Sequence, residues 1–131
     1  MKNFYEYTVS DILGLTMSSV ERRGAGFMGM AEDEIIFSAT DGTEYRMYHR
    51  QDCCEDVYIE SVDGPLDVLV GSPITMAEEV SNAERSALPD RDDSYTWTFY
   101  KLGTAKGSVT IRWYGTSNGY YSEDADFERV R

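Results

Sequence analysis

Histidine, cysteine and proline are scarce in this chain. One histidine, two cysteines and three prolines in 131 residues leave little material for a metal centre, a disulfide framework or a proline-rich segment. The cysteines are adjacent, Cys53-Cys54; neighbours cannot staple distant segments and a bond between them is strained, so reduced thiols are the expectation. Basic residues are few as well, 12 Lys and Arg against 24 Asp and Glu, for a net charge of −12. A surface of this sign repels a phosphate backbone, which excludes direct nucleic-acid binding and favours a basic protein partner. Long apolar runs are missing: nothing approaches the ~20 residues that cross a bilayer. The opening Met1-Lys2-Asn3-Phe4-Tyr5-Glu6 also lacks the apolar stretch of a signal peptide. No membrane association and a cytoplasmic location are therefore expected.

What is abundant is aromatic. Ten tyrosines, five phenylalanines and two tryptophans, within a 41% hydrophobic composition, offset ordering entropy and favour strands. The length suits a single domain over residues 1–131. Ser10 to Gly14 reads as a brief helical turn capped by Ser10, and Thr16 to Arg22 as a short strand. Asp41-Gly42 between two β-rich runs, Glu34–Thr40 and Thr43–His49, predicts a hairpin with a two-residue turn. Alternation in its second arm puts Tyr45 and Met47 inward, and His49 on their face. Asp56 to Val62 continues as a strand, Leu66 to Val70 as a short helix after Pro65, and Ile74 to Val80 as a further strand. Glu84 to Ser94 is polar and reads as the longest loop.

The C-terminal third predicts a β-meander: Tyr95–Leu102, Ser108–Tyr114, then Tyr120 onward. Tyr95, Trp97 and Phe99 are expected to share a core face with Val109, Ile111 and Trp113 on the next strand. The fold class is thus α+β, predominantly antiparallel β: a single compact sheet or partly open barrel of about six or seven strands with one or two short helices.

The densest concentration of chemistry is the joint His49-Arg50-Gln51-Asp52-Cys53-Cys54-Glu55, between two strands. Thiol and imidazole are the groups most readily tuned near neutral pH, so the joint could serve a small ligand, a metal or an enzyme. The spacing argues against a metal site and against a Cys nucleophile. Zinc wants four converging ligands and no second Cys or His pair exists; a Cys nucleophile, its base and its orienting acid normally come from separate elements. The competing role is structural: cysteines as small fillers, His49 bonded to backbone, and Gln51 and Asp52 capping the turn. No metal and no cofactor are expected. Asp90, Asp92 and Asp93 lack the glycine and later glutamate of a calcium loop.

A second candidate is a binding surface of Arg112, Tyr114, Asn118, Tyr120 and Tyr121, since tyrosines give large contact area at low entropic cost. Together with the acidity it points to a non-enzymatic protein that binds another protein, as an inhibitor or a nucleic-acid mimic, carboxylates imitating phosphates. Exposed strand edges would allow a homodimer.

The run Asp41-Gly42-Thr43-Glu44-Tyr45-Arg46-Met47-Tyr48-His49-Arg50-Gln51-Asp52-Cys53-Cys54-Glu55, with Val57-Tyr58-Ile59-Glu60, Asp93–Leu102 and Thr110–Ser122, resembles an uncharacterised family of small bacteriophage proteins. The resemblance spans Asp33 to Phe127, and the glycine-rich stretch before Glu32 departs from it. It implies a bacteriophage origin; with the acidic surface, the expected partner is a host or phage protein and the expected setting the cytoplasm of an infected host. The resemblance implies no activity.

Overall fold

The computed structural model describes residues 3, 6–24, 33–52, 54–85, 94–118 and 121–131. Its strands are β1 Met17–Arg23, β2 Glu34–Ala39, β3 Glu44–Tyr48, β4 Asp56–Asp63, β5 Met76–Arg85, β6 Ser94–Thr104, β7 Gly107–Ser117 and β8 Asp126–Arg129. They form two four-stranded antiparallel sheets, β1-β2-β3-β8 and β4-β7-β6-β5, in place of the expected single sheet or barrel. The helical elements described over their whole length are two 3-10 turns, Val9–Ile12 and Leu66–Leu69, so the α part of the expected class is reduced to 3-10 turns. The first is entered at Thr8 instead of Ser10, and the Asp11 carboxylate accepts the Thr8 N–H at 2.7 Å.

Two sheets solve a problem that one would leave open, because a single sheet with one apolar face needs something to lie on it. One continuous core joins both: Ile35, Phe37, Tyr45, Met47 and Phe127 from the first, Ile59, Tyr100, Leu102, Val109, Ile111 and Trp113 from the second. Val9, Ile12 and Leu69 of the 3-10 turns join the same core.

The β2–β3 hairpin forms where Asp41-Gly42 places it, with a loop of three residues instead of two. Ala39 N–H bonds Thr43 O at 2.8 Å and Gly42 N–H bonds Ala39 O at 3.2 Å, a turn completed by Gly42 at φ +92°. The Thr43 hydroxyl and amide both donate to Asp41 Oδ1, at 2.5 and 2.9 Å, and hold its carboxyl below the usual range. Downstream, β4 carries an irregularity between Ile59 and Ser61 that turns Val62 back toward the core beside Ile59. There the Ile59 N–H is taken by Asp33 Oδ2 at 2.9 Å, a bond from the first sheet to the second.

Three expectations for the second half of the chain are corrected. The third arm of the meander leaves its neighbours: β8 pairs with β3, Met47 opposite Phe127, in the other sheet. In β6 the inward residues are Thr96, Thr98, Tyr100 and Leu102, so Tyr95, Trp97 and Phe99 point away from the core. Register shows why: the buried Trp113 stands opposite Thr98 and Ile111 opposite Tyr100, while Trp97 stands opposite Tyr114. Finally, β5 runs on through Arg85 into the segment expected to be a loop, and residues 86–93, the aspartates at 90, 92 and 93 included, lie outside the described residues.

Candidate functional site

The β3–β4 joint carries the chain from one sheet to the other, and residues 118–125 carry it back. His49 ties the two crossings together. Its Nδ1 lies 2.7 Å from the Asp124 carbonyl, which can only accept, so that nitrogen donates. Its Nε2 lies 3.0 Å from Glu55 Oε2. Both side chains are out of solvent, 3% and 0% exposed. Glu55 also receives the Asp52 N–H at 3.0 Å and the Gln51 side-chain amide at 3.1 Å, and the same amide donates to the Glu55 carbonyl at 2.7 Å.

Of the predicted joint, then, His49, Gln51, Asp52 and Glu55 converge on one carboxylate, while Cys54 points to solvent. Cys54 is disulfide-bonded, contrary to the expected reduced thiol. Cys53 lies outside the described residues. Among the described residues no group of three or more His, Cys, Asp or Glu side chains could hold a metal ion. A cavity of about 170 Å³ beside the joint is lined by Tyr48, Arg50, Asp126, Phe127 and Glu128. Its charges already serve one another: Arg50 donates to Tyr48 Oη at 3.1 Å, pairs with Glu128 at 3.5 Å, and gives its backbone N–H to Asp126 at 2.8 Å.

A second buried carboxylate escaped the sequence reading. Glu123 accepts hydroxyl hydrogen bonds from Ser94, Ser117 and, at 2.9 Å, Thr96. Ser94 and Ser117 face each other across β6 and β7, and Thr96 faces Gly115. Gly115 is what lets the return crossing come this close: a Cβ there would sit 2.1 Å from the Glu123 carbonyl oxygen. The hydroxyls on alternate residues of β6 were the available signal, but their partner lies 27 or more residues away.

The outer face of the β4-β7-β6-β5 sheet is aromatic where a sandwich usually shows polar side chains. Tyr58, Tyr114 and Trp97 form a row across β4, β7 and β6, with ring centroids 5.8 and 4.6 Å apart, and Tyr95 lies 6.4 Å from Tyr114. The Arg112 guanidinium stacks 4.3 Å over Trp97 and 5.8 Å from the Phe99 ring centre, with Nε 3.2 Å from Glu60 Oε2. Tyr58 is 44% and Val80 43% exposed. By register Asp56, Asp63 and Glu78 share this face with Glu60, so that among the residues whose side chains are described four exposed carboxylates stand against the two bases Lys101 and Arg112. The structure therefore joins Arg112 and Tyr114 of the predicted binding surface to Tyr58 and Trp97, which were not predicted there. Asn118 is exposed just past β7, Tyr121 is half-buried on the return crossing with its carbonyl 3.4 Å from Ser117 Oγ, and Tyr120 lies outside the described residues.

Residues 10–127 match the model of a family described as a domain of unknown function, DUF7448, and the chain belongs to that family. No curated protein and no solved structure matches the chain.

Proposed function

We propose that this member of the family is a non-enzymatic binding protein that engages a basic protein partner through the outer face of the β4-β7-β6-β5 sheet. The observation that carries the reading is the Tyr58–Tyr114–Trp97 row, part-exposed and rimmed by Asp56, Glu60, Asp63 and Glu78. An aromatic centre inside a polar rim is the anatomy of a binding patch, with tyrosine and tryptophan as anchors. The rim selects for positive charge, in keeping with a net charge of −12. Arg112 displays the chemistry internally: a guanidinium on an indole face with a carboxylate at its nitrogen. Given the resemblance to bacteriophage proteins, the partner is a host protein that grips nucleic acid, met in the host cytoplasm, with carboxylates standing in for phosphates.

The burial of His49 supports this reading over a ligand site at the joint. Both ring nitrogens are engaged within the protein and the ring is 3% exposed.

Intrinsic fluorescence tests the face directly, because Trp113 is buried and Trp97 is the tryptophan on the outer surface. Titration with an arginine-rich peptide should change Trp97 emission saturably, more strongly than an equally charged lysine peptide, and weaken at high salt. Tyr58→Ala should lose most of the response. An emission change that Tyr58→Ala leaves intact, or none at low salt, would sink the proposal; where it holds, a pull-down from host lysate at both salts names the partner.

A further inference from the structure

The irregularity in β4 gives the outer face one carboxylate that the ladder does not place. Ile59 stands opposite Trp113 and Ser61 opposite Arg112, so Glu60 between them has no partner residue in β7. Its carboxylate turns onto the Arg112 side chain, with Oε2 3.2 Å from Nε. On the other side Arg112 stands opposite Phe99 in register, yet its guanidinium leans to the diagonal neighbour Trp97, 4.3 Å over that ring against 5.8 Å for Phe99. An indole face and a carboxylate thus make a seat for a planar cation, and a residue of the same chain occupies it.

The hold on Arg112 is incomplete. Its Nε is out of solvent and makes no hydrogen bond, so the contact with Glu60 is one of charge without alignment. Arginine grips a carboxylate best when two nitrogens donate in parallel, whereas here the nearest approach is through Nε. Among the described residues Glu60 is the one ion-pair partner of Arg112, and the two side chains remain 41% and 37% exposed. A screened pair and a cation–π contact at that exposure are both weak. The guanidinium is also the far end of a flexible side chain, free to swing away without any movement of β7.

Resting on the reading of this face as the docking site for a basic partner, we propose that Arg112 is its built-in competitor. An arginine of the partner takes the seat between Trp97 and Glu60, and Arg112 leaves it. While Arg112 is seated the face is closed to that arginine, so only the vacated fraction of the protein binds. A seat filled about nine-tenths of the time lowers the apparent affinity about tenfold. Arg112 therefore sets a threshold: a partner whose arginine arrives with further contacts to Tyr58 and the acidic rim displaces it, and a lone cation does not.

Nuclear magnetic resonance of the Arg112 side chain and calorimetric titration with the arginine-rich peptide test this on the full chain. In the free protein the Arg112 δ protons should lie upfield, in the ring current of Trp97, and should move to the position of an unstacked arginine as the peptide saturates. Arg112→Gln should bind the peptide about five- to tenfold more tightly than wild type. Lys101→Gln removes the same charge from the same face but leaves the seat filled, so it should tighten binding by about twofold at most. Arg112 protons that stay upfield with peptide bound, or an Arg112→Gln chain that binds no more tightly than Lys101→Gln, would overturn the inference and leave the docking face standing. Absence of binding by all three chains would remove the docking face and this inference together.

Discussion

His49 and Glu55 form a buried pair six residues apart in sequence, with Nε2 3.0 Å from Oε2 and neither side chain open to solvent. The carboxylate is shared with the backbone of Asp52 and the amide of Gln51, so its removal takes a partner from three groups, of which the His49 ring is the buried one. Breaking such a pair from one side leaves a polar ring nitrogen buried without its partner. Glu55→Ala should cost about 3 kcal/mol, read from the denaturant midpoint. Glu55→Gln, which keeps an oxygen for the Asp52 N–H, should cost clearly less. Equal losses would show that the carboxylate charge, which both variants remove, holds the joint, and that side-chain volume and the neutral hydrogen bonds do not.

Gly115 and Glu123 make the second crossing possible, and here the constraint is steric. The added Cβ of Gly115→Ala would meet backbone, at 2.1 Å from Glu123 O, and backbone cannot swing aside as a side-chain tip can. A loss near the upper end of overpacking effects, about 3 kcal/mol, is expected. Gly42→Ala supplies the contrast: nothing lies within 4 Å and only its φ of +92° resists, so about 1 kcal/mol should be lost. Thermal melts of the two variants rank the effects, and a Gly115→Ala protein no weaker than Gly42→Ala would mean the crossing is free to lift.

The difference between what the sequence shows and what it hides follows from distance along the chain. Asp41-Gly42 announces its hairpin because the turn is local, and strict alternation from Tyr45 and Met47 is enough to aim His49 inward. The β6 strand defeats the same rule because both of its faces could have been buried. Tyr95, Trp97 and Phe99 outweigh Thr96 and Thr98 in apolar area, yet the threonines go inside. Thr96 does so because Glu123, 27 residues on, comes back to bond it. The placement of β8 beside β3 is non-local in the same way. The acidic composition could suggest a basic partner, but only register gathers Tyr58, Trp97, Arg112 and Tyr114 on one face.

Tyr58 offers a separation of binding from folding. Its ring is 44% exposed and contacts Tyr114 at 5.8 Å, so Tyr58→Ala removes an anchor with modest packing behind it. Stability should fall by less than about 1 kcal/mol, while the response to an arginine-rich peptide should weaken about tenfold or more. Calorimetric titration beside a denaturant curve gives both numbers on one preparation. A large stability loss with unchanged binding would assign the row to the fold and not to recognition.

Tyr100 is expected to set the alkaline limit of the protein. It is 1% exposed and its hydroxyl donates to Glu79 Oε1 at 3.0 Å. Burial first, and then the negative charge of Glu79, push the phenol well above its ordinary range. A group that holds its proton more tightly when folded contributes stability that is complete below the unfolded value and is lost as pH rises beyond it. Stability should therefore be insensitive to this residue near neutrality and decline above about pH 10, where the unfolded phenol begins to ionise. Tyr100→Phe should lose about 1 kcal/mol at neutral pH, the worth of one hydrogen bond, yet show a shallower decline in alkali. Denaturant curves at successive pH values follow this. Parallel declines for the two proteins would mean that the other tyrosines, and not this buried one, govern the alkaline transition.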